Sequence, residues 1–326
     1  MSSGRAVADA LLEAGHDVVP VLLGEGIDPL QSLLEARPDV VFLALNGRLG
    51  KDGCVQGLLE CLRIPYTGSS VLASALGMDK LKAKELFRLH NVPTPPYYVV
   101  GKASGAGDIE ETHGSFGFPV VVKPRREGSR LGVSVAHDTT GLARAVEAAL
   151  AFDDSVLVER HIAGCEVQVG ILGGRVLGAI EVEPRNEMYD LAPKQTPGRS
   201  EYFMPARLTP ARYRGVLNLA ERAAQALDTE GAVCVDLIVT EGQNEYVLEV
   251  NTLPAMTPTS VLPRIAAAAG FDFTALCEAM LSRARLHASV ARPRAAELVS
   301  FPGVGQEGLQ VEVPRRRSGA RSQRAR

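Results

Sequence analysis

Two apolar runs separated by four polar residues constrain this chain more than any other feature. Residues 232–240 read AVCVDLIVT and residues 245–251 read EYVLEVN, with Glu241-Gly242-Gln243-Asn244 between them. Short apolar runs joined by a glycine-containing loop predict an antiparallel hairpin. Side chains alternate faces along a strand, so Glu249 and Asn251 are expected on one face. Pairing Thr240 with Glu245 sets Asp236 directly across the ladder from Glu249. Two carboxylates about 5 Å apart repel, and one tends to take up a proton unless a cation lies between them. The oxygen set Asp236, Glu249 and Asn251 suits Mg²⁺ (or Mn²⁺), which usually completes its shell with substrate phosphates. The competing expectation is a solvated polar hairpin face, and the apolar neighbours Val247, Leu248 and Val250 count against it.

Two further segments carry chemistry. In VVKPRREGSRLG a strand ends at Lys123, and a polar loop with Gly128 and Gly132 folds back. Backbone N–H groups in such a loop can cradle phosphate oxygens, and a Lys at the strand end can reach the same charge. The order G-x-x-x-x-G-K-[ST] is absent, so this is no Walker A loop. By itself the segment reads more readily as an ordinary solvated turn, since glycine loops are common and a Lys at a strand end is usually solvated. In VERHIAGCE a strand leaves into a short linker between Glu159 and Glu166. Acceptors there can read an adenine amino group and ribose hydroxyls, while His161 reads as a surface histidine.

The rest of the chain supplies a frame for these segments. Val7, Ala10, Leu11 and Ala14 recur at helical spacing, and Gly15 stops that helix. Residues 18–23 and 40–45 read as buried parallel strands, with a helix from Asp28-Pro29 to about Arg37 between them. The order α, β, α, β predicts a parallel sheet with crossover helices. A doubly wound unit normally opens on a strand with the first glycine loop. This sequence opens on the helix that should follow it, so the first strand is expected to be missing. Helices are expected at 78–90, near 141–151 and at 210–227. Strands are expected at 120–123, 156–159, 167–172 and 176–182, which makes the middle of the chain α+β with antiparallel character. No internal repeat is visible.

At 326 residues the chain can hold two or three compact units. A net charge of −3 offers no global field for nucleic acid or anionic lipid. No apolar run is long enough to span a membrane, and the N-terminus reads as a helix rather than a signal peptide. The five cysteines lack C-x-x-C spacing and read as reduced thiols of a cytoplasmic protein, mostly small core residues. The last stretch, VPRRRSGARSQRAR, has six Arg and no acid, and is expected to be a solvated, disordered tail.

Taken in order, these segments resemble the ATP-grasp enzymes, and most specifically the D-alanine–D-alanine ligase family. The resemblance runs from Ser3 to about Leu281. It rests on SGRAVADALLEAGHDV, PDVVFLALNGRLGKDG, IPYTGSSVLASALGMDK, VPTPPY, VVKPRREGSRLG, VERHIAGCE, YDLAPK and EVNTLPAMTPTSVLP. It implies an α/β plus α+β fold: a Rossmann-like N-terminal domain lacking its first strand (1–68), then a two-domain ATP-grasp fold. The latter has a central subdomain (69–158) and a C-terminal domain with the metal site (159–289), and 290–326 forms the tail. It implies that Lys80 and Lys123 contact ATP phosphates, and that Glu159, the backbone near Ile162, and Glu166 hold adenine and ribose. Asp236, Glu249 and Asn251 would bind the metal ion. Ser129 would sit near the first amino acid, and Lys194 and Ser260 would face the second and its carboxylate. The implied reaction phosphorylates one amino acid's carboxylate with ATP, and a second amino acid's amine then attacks the acylphosphate. D-Alanine is the implied substrate, peptidoglycan precursor synthesis the implied role, and a homodimer the implied assembly.

The sequence also departs from the family pattern. Asn46 stands where the family has His, Arg130 where it has a second Ser, and Ala255 where it has Gly. Gln195 replaces a Tyr, and Cys234 replaces an Arg that braces the reacting carboxyl. A thiol cannot replace a guanidinium's fork of donors. Two alternatives therefore stand beside the D-alanine ligase: a ligase for a different amino-acid pair, and an ATP-binding pseudoenzyme.

Overall fold

The computed structural model describes residues 2–23, 28–102, 109–184, 200–242 and 244–288. Helix α1 (Ser2–Glu13) buries Val7, Ala10 and Leu11, the stripe its spacing predicts. Helix α2 (Pro29–Ala36) is capped by the Asp28 carboxylate, which accepts from the N–H groups of Leu30 and Gln31. Helices α3 (Cys54–Leu62) and α4 (Val71–Met78) follow. Asp79 then closes α4 and opens α5 (Lys80–Leu89): its N–H donates to Ala75 and its carboxylate accepts from Lys82. This places Lys80 in the first turn of a helix whose start is fixed by a cap.

The next strands are β1 (Tyr97–Gly101), β2 (Val120–Pro124), β3 (Ser134–Ala136) and β4 (Ser155–Arg160). They form an antiparallel sheet in the order β1-β4-β2-β3. Helices α6 (Ile109–His113) and α7 (Thr139–Leu150) fall between these strands in sequence. Leu142, Ala145, Val146 and Ala149 of α7 pack on Val120, Val122, Val156 and Val158. The opposite face of β2 and β4 is left for Lys123 and Glu159.

The second sheet contains β5 (Cys165–Leu172), β6 (Arg175–Pro184), β7 (Ser200–Phe203), β8 (Ala232–Val239) and β9 (Glu245–Asn251), in the order β7-β6-β5-β8-β9. All its pairings are antiparallel. On one face, α8 (Pro210–Ala226) packs Val216, Leu219, Ala220 and Ala223 against Val167, Val169, Val233 and Val235. On the other, Ala232 and Cys234 join Leu262 and Ala266 of α9 (Val261–Ala268) and Leu276 of α10 (Phe273–Leu281). Val7, Ala10 and Leu11 of α1 complete that second cluster. Fully burying each Leu or Val contributes about 1.5–3 kcal/mol, so β8 is held from both sides.

Two expectations are corrected. Residues 18–23 and 40–45 form no strand, and among the described residues the only parallel pairing near them is the single bridge Val41–Tyr66. The Val41 N–H donates to Pro65 O and the Thr67 N–H donates to Val41 O, but the Leu43 N–H goes to the Thr67 hydroxyl at 3.0 Å. A side chain thus takes the donor on which a ladder would continue. Val19 and Leu22, expected inside a parallel sheet, are 57% and 58% exposed. The five cysteines are free thiols as expected, yet only Cys234 and Cys277 are buried; Cys54 and Cys61 lie on the outer face of α3. No helix among the described residues is long and apolar enough to cross a membrane.

Candidate active site

The hairpin forms, with a shifted register. Val239 pairs with Glu245, where the sequence predicts Thr240, and the Thr240 N–H closes the loop on Asn244 O at 3.1 Å. A regular ladder from that point would set Asp236 opposite Leu248. Instead the register shifts between Leu237 and Asp236, leaving Leu248 as an extra residue on β9, and Asp236 pairs with Glu249 as expected. The bulge resolves a conflict of parity. Val247 and Glu249 are two apart and would share a face of a regular strand. Val247 is nevertheless fully buried beside Val250 under α8, while Glu249 and Asn251 turn to the other side with Asp236.

Strand β5 extends the polar row. Gln168 pairs with Asp236, and its amide donates to Asp236 Oδ2 at 3.1 Å and to Glu166 Oε1 at 3.4 Å. Glu166, Gln168, Asp236, Glu249 and Asn251 therefore line one face of three adjacent strands. Gln168 escaped the sequence reading, although its two-residue spacing from Glu166 was the available signal. Cys234 pairs with Asn251 on the same face and is buried among Met256 and Leu262.

The cationic side of the site is built from β2, β4 and α5. Glu159 is buried; Lys123 donates to its Oε2 at 2.6 Å, and Lys84 lies 3.2 Å from its Oε1. Burial works to raise the Glu159 carboxyl, but Lys123 and Lys84 together outweigh it and hold it below the usual range. Burial pushes the Lys84 ammonium down to about 8, with Glu159 pulling against it. Lys80 donates to the Glu127 carbonyl. Burial lowers its ammonium as well, opposed first by the charge of Glu249.

That loop is pinned at several points. Arg125 grips Asp79 through two bonds of 2.7 and 2.6 Å, and Arg126 grips the buried Asp153. Arg48 reaches across from another segment to Glu127 Oε1 at 2.6 Å. Ser129 and Arg130 take left-handed backbone conformations, with φ of 53° and 61°. Arg130 then donates to Glu166 Oε2 at 3.2 Å, and its charge also interacts with Asp236 and Glu249. Ile162 is half-buried in the linker between β4 and β5. Gly164 in the same linker has no room for a side chain, since a Cβ there would lie 2.5 Å from Val239 O.

The other expected residues are dispersed. Ser129 and Asn46 are exposed. Ser260 stands just before α9 without capping it through its side chain, and its hydroxyl lies 2.7 Å from that of Thr257. Lys194 and Gln195 lie outside the described residues. A residue that no motif singled out joins the acidic row from 200 positions away: Lys51 Nζ donates to Asn251 Oδ1 at 3.1 Å. Burial lowers the Lys51 ammonium, and Glu249 and Asp236 oppose that shift.

Acidic and amide oxygens on one sheet, together with lysines from β2 and α5, are groups that can hold a polyphosphate and a divalent ion. Comparison with known proteins identifies the family. The family described as "D-ala D-ala ligase C-terminus" matches residues 86–282, and "D-ala D-ala ligase N-terminus" matches residues 25–69. The D-alanine–D-alanine ligase of Anaeromyxobacter sp. (strain K) is 46% identical over 288 residues, covering 88% of this chain and 92% of that protein. The chain belongs to the D-alanine–D-alanine ligase family. The ligase of Geobacter sulfurreducens is 47% identical over 287 residues, covering 88% of this chain and 89% of its own. Among solved structures, the D-alanine–D-alanine ligase from Bacillus anthracis complexed with ATP superposes with a TM-score of 0.74 at 31% identity, covering 86% of this chain and 90% of that one. VanG D-Ala:D-Ser ligase from Enterococcus faecalis gives 0.69 at 30% identity, covering 75% and 72%. The mixed helix-and-sheet architecture with antiparallel sheets is thus that of a D-alanine–D-alanine ligase.

Proposed function

We propose that this chain is an ATP-dependent carboxylate–amine ligase that joins two D-alanine molecules for peptidoglycan precursors in the cytoplasm. The observation that carries this reading is the direct pairing of Asp236 with Glu249 across the ladder. The donor set fits Mg²⁺ or Mn²⁺: Asp236, Glu249 and Asn251 offer only oxygen, and the two carboxylates oppose each other across the ladder. When bound, the ion shields phosphate charge and favours transfer of the terminal phosphoryl group.

The protein's own side chains supply the remainder. Lys80 and Lys123 neutralise the phosphates, and the Glu159 ion pair holds Lys123 in its orientation. Glu159, the backbone near Ile162, and Glu166 receive adenine and ribose, and Arg130 must release Glu166 to admit the ribose. Ser129 lies beside the first D-alanine, whose carboxylate oxygen attacks the terminal phosphorus and releases ADP. The amine of the second D-alanine then attacks the acylphosphate carbon, and phosphate leaves. Lys194 and Ser260 face the second D-alanine and its carboxylate. The division 1–68, 69–158 and 159–289, the Rossmann-like character of the first part, and a homodimer belong to the same reading.

One observation favours a second reading, a ligase for a different amino-acid pair. Cys234 adjoins Asn251 as a buried side chain, and a thiol offers no fork of donors to a reacting carboxyl. The test is phosphate release from ATP with a panel of D- and L-amino acids, scored with product identification. D-Alanine alone should give the dipeptide. Turnover confined to a mixed pair would establish the second reading, and nucleotide binding without turnover on any amino acid would overturn both.

A further inference from the structure

Lys51 occupies a place that the hairpin chemistry leaves unexplained. Asn251 Oδ1 accepts from the Leu253 N–H at 3.2 Å and from Lys51 Nζ at 3.1 Å. An amide oxygen has two lone pairs, so both acceptor positions of this candidate metal ligand are engaged by the protein itself. The lysine is not there by accident of a flexible surface loop. Its own N–H donates to Gly47 O at 3.1 Å. The adjacent Asp52 carboxylate accepts from Leu49 and Cys54 at 2.8 and 3.1 Å. The buried Gln56 amide donates to Gly50 O at 3.0 Å. Gly50 itself sits so close that a Cβ would lie 2.6 Å from Leu45 Cβ. The backbone of this turn therefore aims the ammonium at the hairpin, where its charge interacts with Glu249 and Asp236.

We propose that Lys51 is a resident cation of the hairpin, holding Asn251 and offsetting the carboxylates until a divalent ion displaces its ammonium from Asn251. Free divalent ion then meets a site already partly neutralised and binds it weakly. An ion that arrives with a nucleotide brings phosphate oxygens as further ligands, which makes displacement of the ammonium favourable. Lys51 is thus a positioning residue that couples metal loading to nucleotide loading. The inference rests on reading the hairpin as the metal site.

The test measures Mn²⁺ binding to the full chain without nucleotide, by the loss of the free-ion paramagnetic resonance signal. Lys51→Met and Lys51→Gln remove the ammonium, and either suffices if the other folds poorly. Both should bind Mn²⁺ at least tenfold more tightly than the unaltered protein, while Lys51→Arg should not. Without metal, both should melt at a lower temperature than the unaltered protein, and added Mn²⁺ should recover the difference. Asp236→Asn, alone and combined with Lys51→Met, separates the two ideas. If it weakens Mn²⁺ binding while the lysine variants bind no more tightly than the unaltered protein, the role given to Lys51 is wrong and the hairpin site stands. If it leaves the tightened binding intact, the metal lies elsewhere and the underlying reading falls as well.

Discussion

Replacing Glu159 with Gln keeps the shape of the side chain and removes the one anion between two buried ammonium groups. Lys84 is 1% exposed, with Glu159 as its carboxylate partner and Thr94 as its hydroxyl partner. Burial, opposed by Glu159, brings its ammonium down to about 8 from an ordinary 10.5, a fall worth roughly 3–4 kcal/mol. Without Glu159 the folded state does best to release that proton. At pH 7 release costs at most about 5 kcal/mol relative to the unfolded chain. The substitution therefore adds about 1.5 kcal/mol through Lys84. Lys123 loses a charged hydrogen bond, worth about 1.5–3 kcal/mol. The expected loss at pH 7 is about 3–4.5 kcal/mol, the scale for removing one partner of a buried pair. The sign with pH follows from the depressed value of Lys84. The unfolded chain binds more protons than the folded one between about 8 and 10.5, so stability rises with pH there. At pH 9 Lys84 is largely neutral in both proteins, and the loss should shrink to about 1.5–3 kcal/mol. Urea unfolding followed by circular dichroism at pH 7 and pH 9 measures both figures. An equal loss at the two pH values would refute the charge contribution assigned to Lys84.

Other outcomes follow from the same geometry. Asp236→Asn should lower ATP-dependent turnover by about 10²-fold or more, the scale for losing one preorganised electrostatic contact, while circular dichroism stays native. Gly132→Ala should cost about 2–4 kcal/mol. Its φ is +68°, and a Cβ would lie 2.7 Å from both Phe152 and Pro124, so thermal melting reads the effect directly. Burial works to raise the Asp79, Asp153 and Glu159 carboxyls, and Arg125, Arg126 and the two lysines respectively outweigh it. Their folded values lie below the unfolded ones, so the stability they contribute is complete above about pH 5 and is lost as pH falls through the depressed values. A melting-temperature series from pH 6 to pH 3 should show that fall, and Asp153→Asn should make it shallower; an unchanged slope would remove Asp153 from the account.

Local signals marked most of the secondary structure. Asp28 and Asp79 each cap a helix because a carboxylate beside free N–H groups satisfies them wherever the chain goes. Two-residue alternation along their apolar runs marked β8 and β9 as strands, but Asp236 meets Glu249 only because the bulge at Leu248 restores a pairing that a regular ladder from Val239 would lose. The same alternation failed at 18–23 and 40–45, because an apolar run becomes a strand only when a neighbouring ladder accepts its hydrogen bonds. It also failed to mark the bulge at Leu248, which exists because Val247 and Val250 must both reach the core under α8.

What the sequence by itself determined is therefore the strongly periodic or capped elements and the chemistry of each motif, since periodicity, caps and turn residues act over a few positions. Tertiary structure alone decided which motifs meet. Gln168 reaches Asp236 because β5 lies beside β8, and Lys84 and Lys123 close on Glu159 because a helix and two strands converge there. Lys51 reaches Asn251 across 200 residues because a turn locked by Asp52 and Gln56 packs against the end of β9. Contacts of that kind leave no periodic trace, since their energies depend on distances set only once the whole chain is packed.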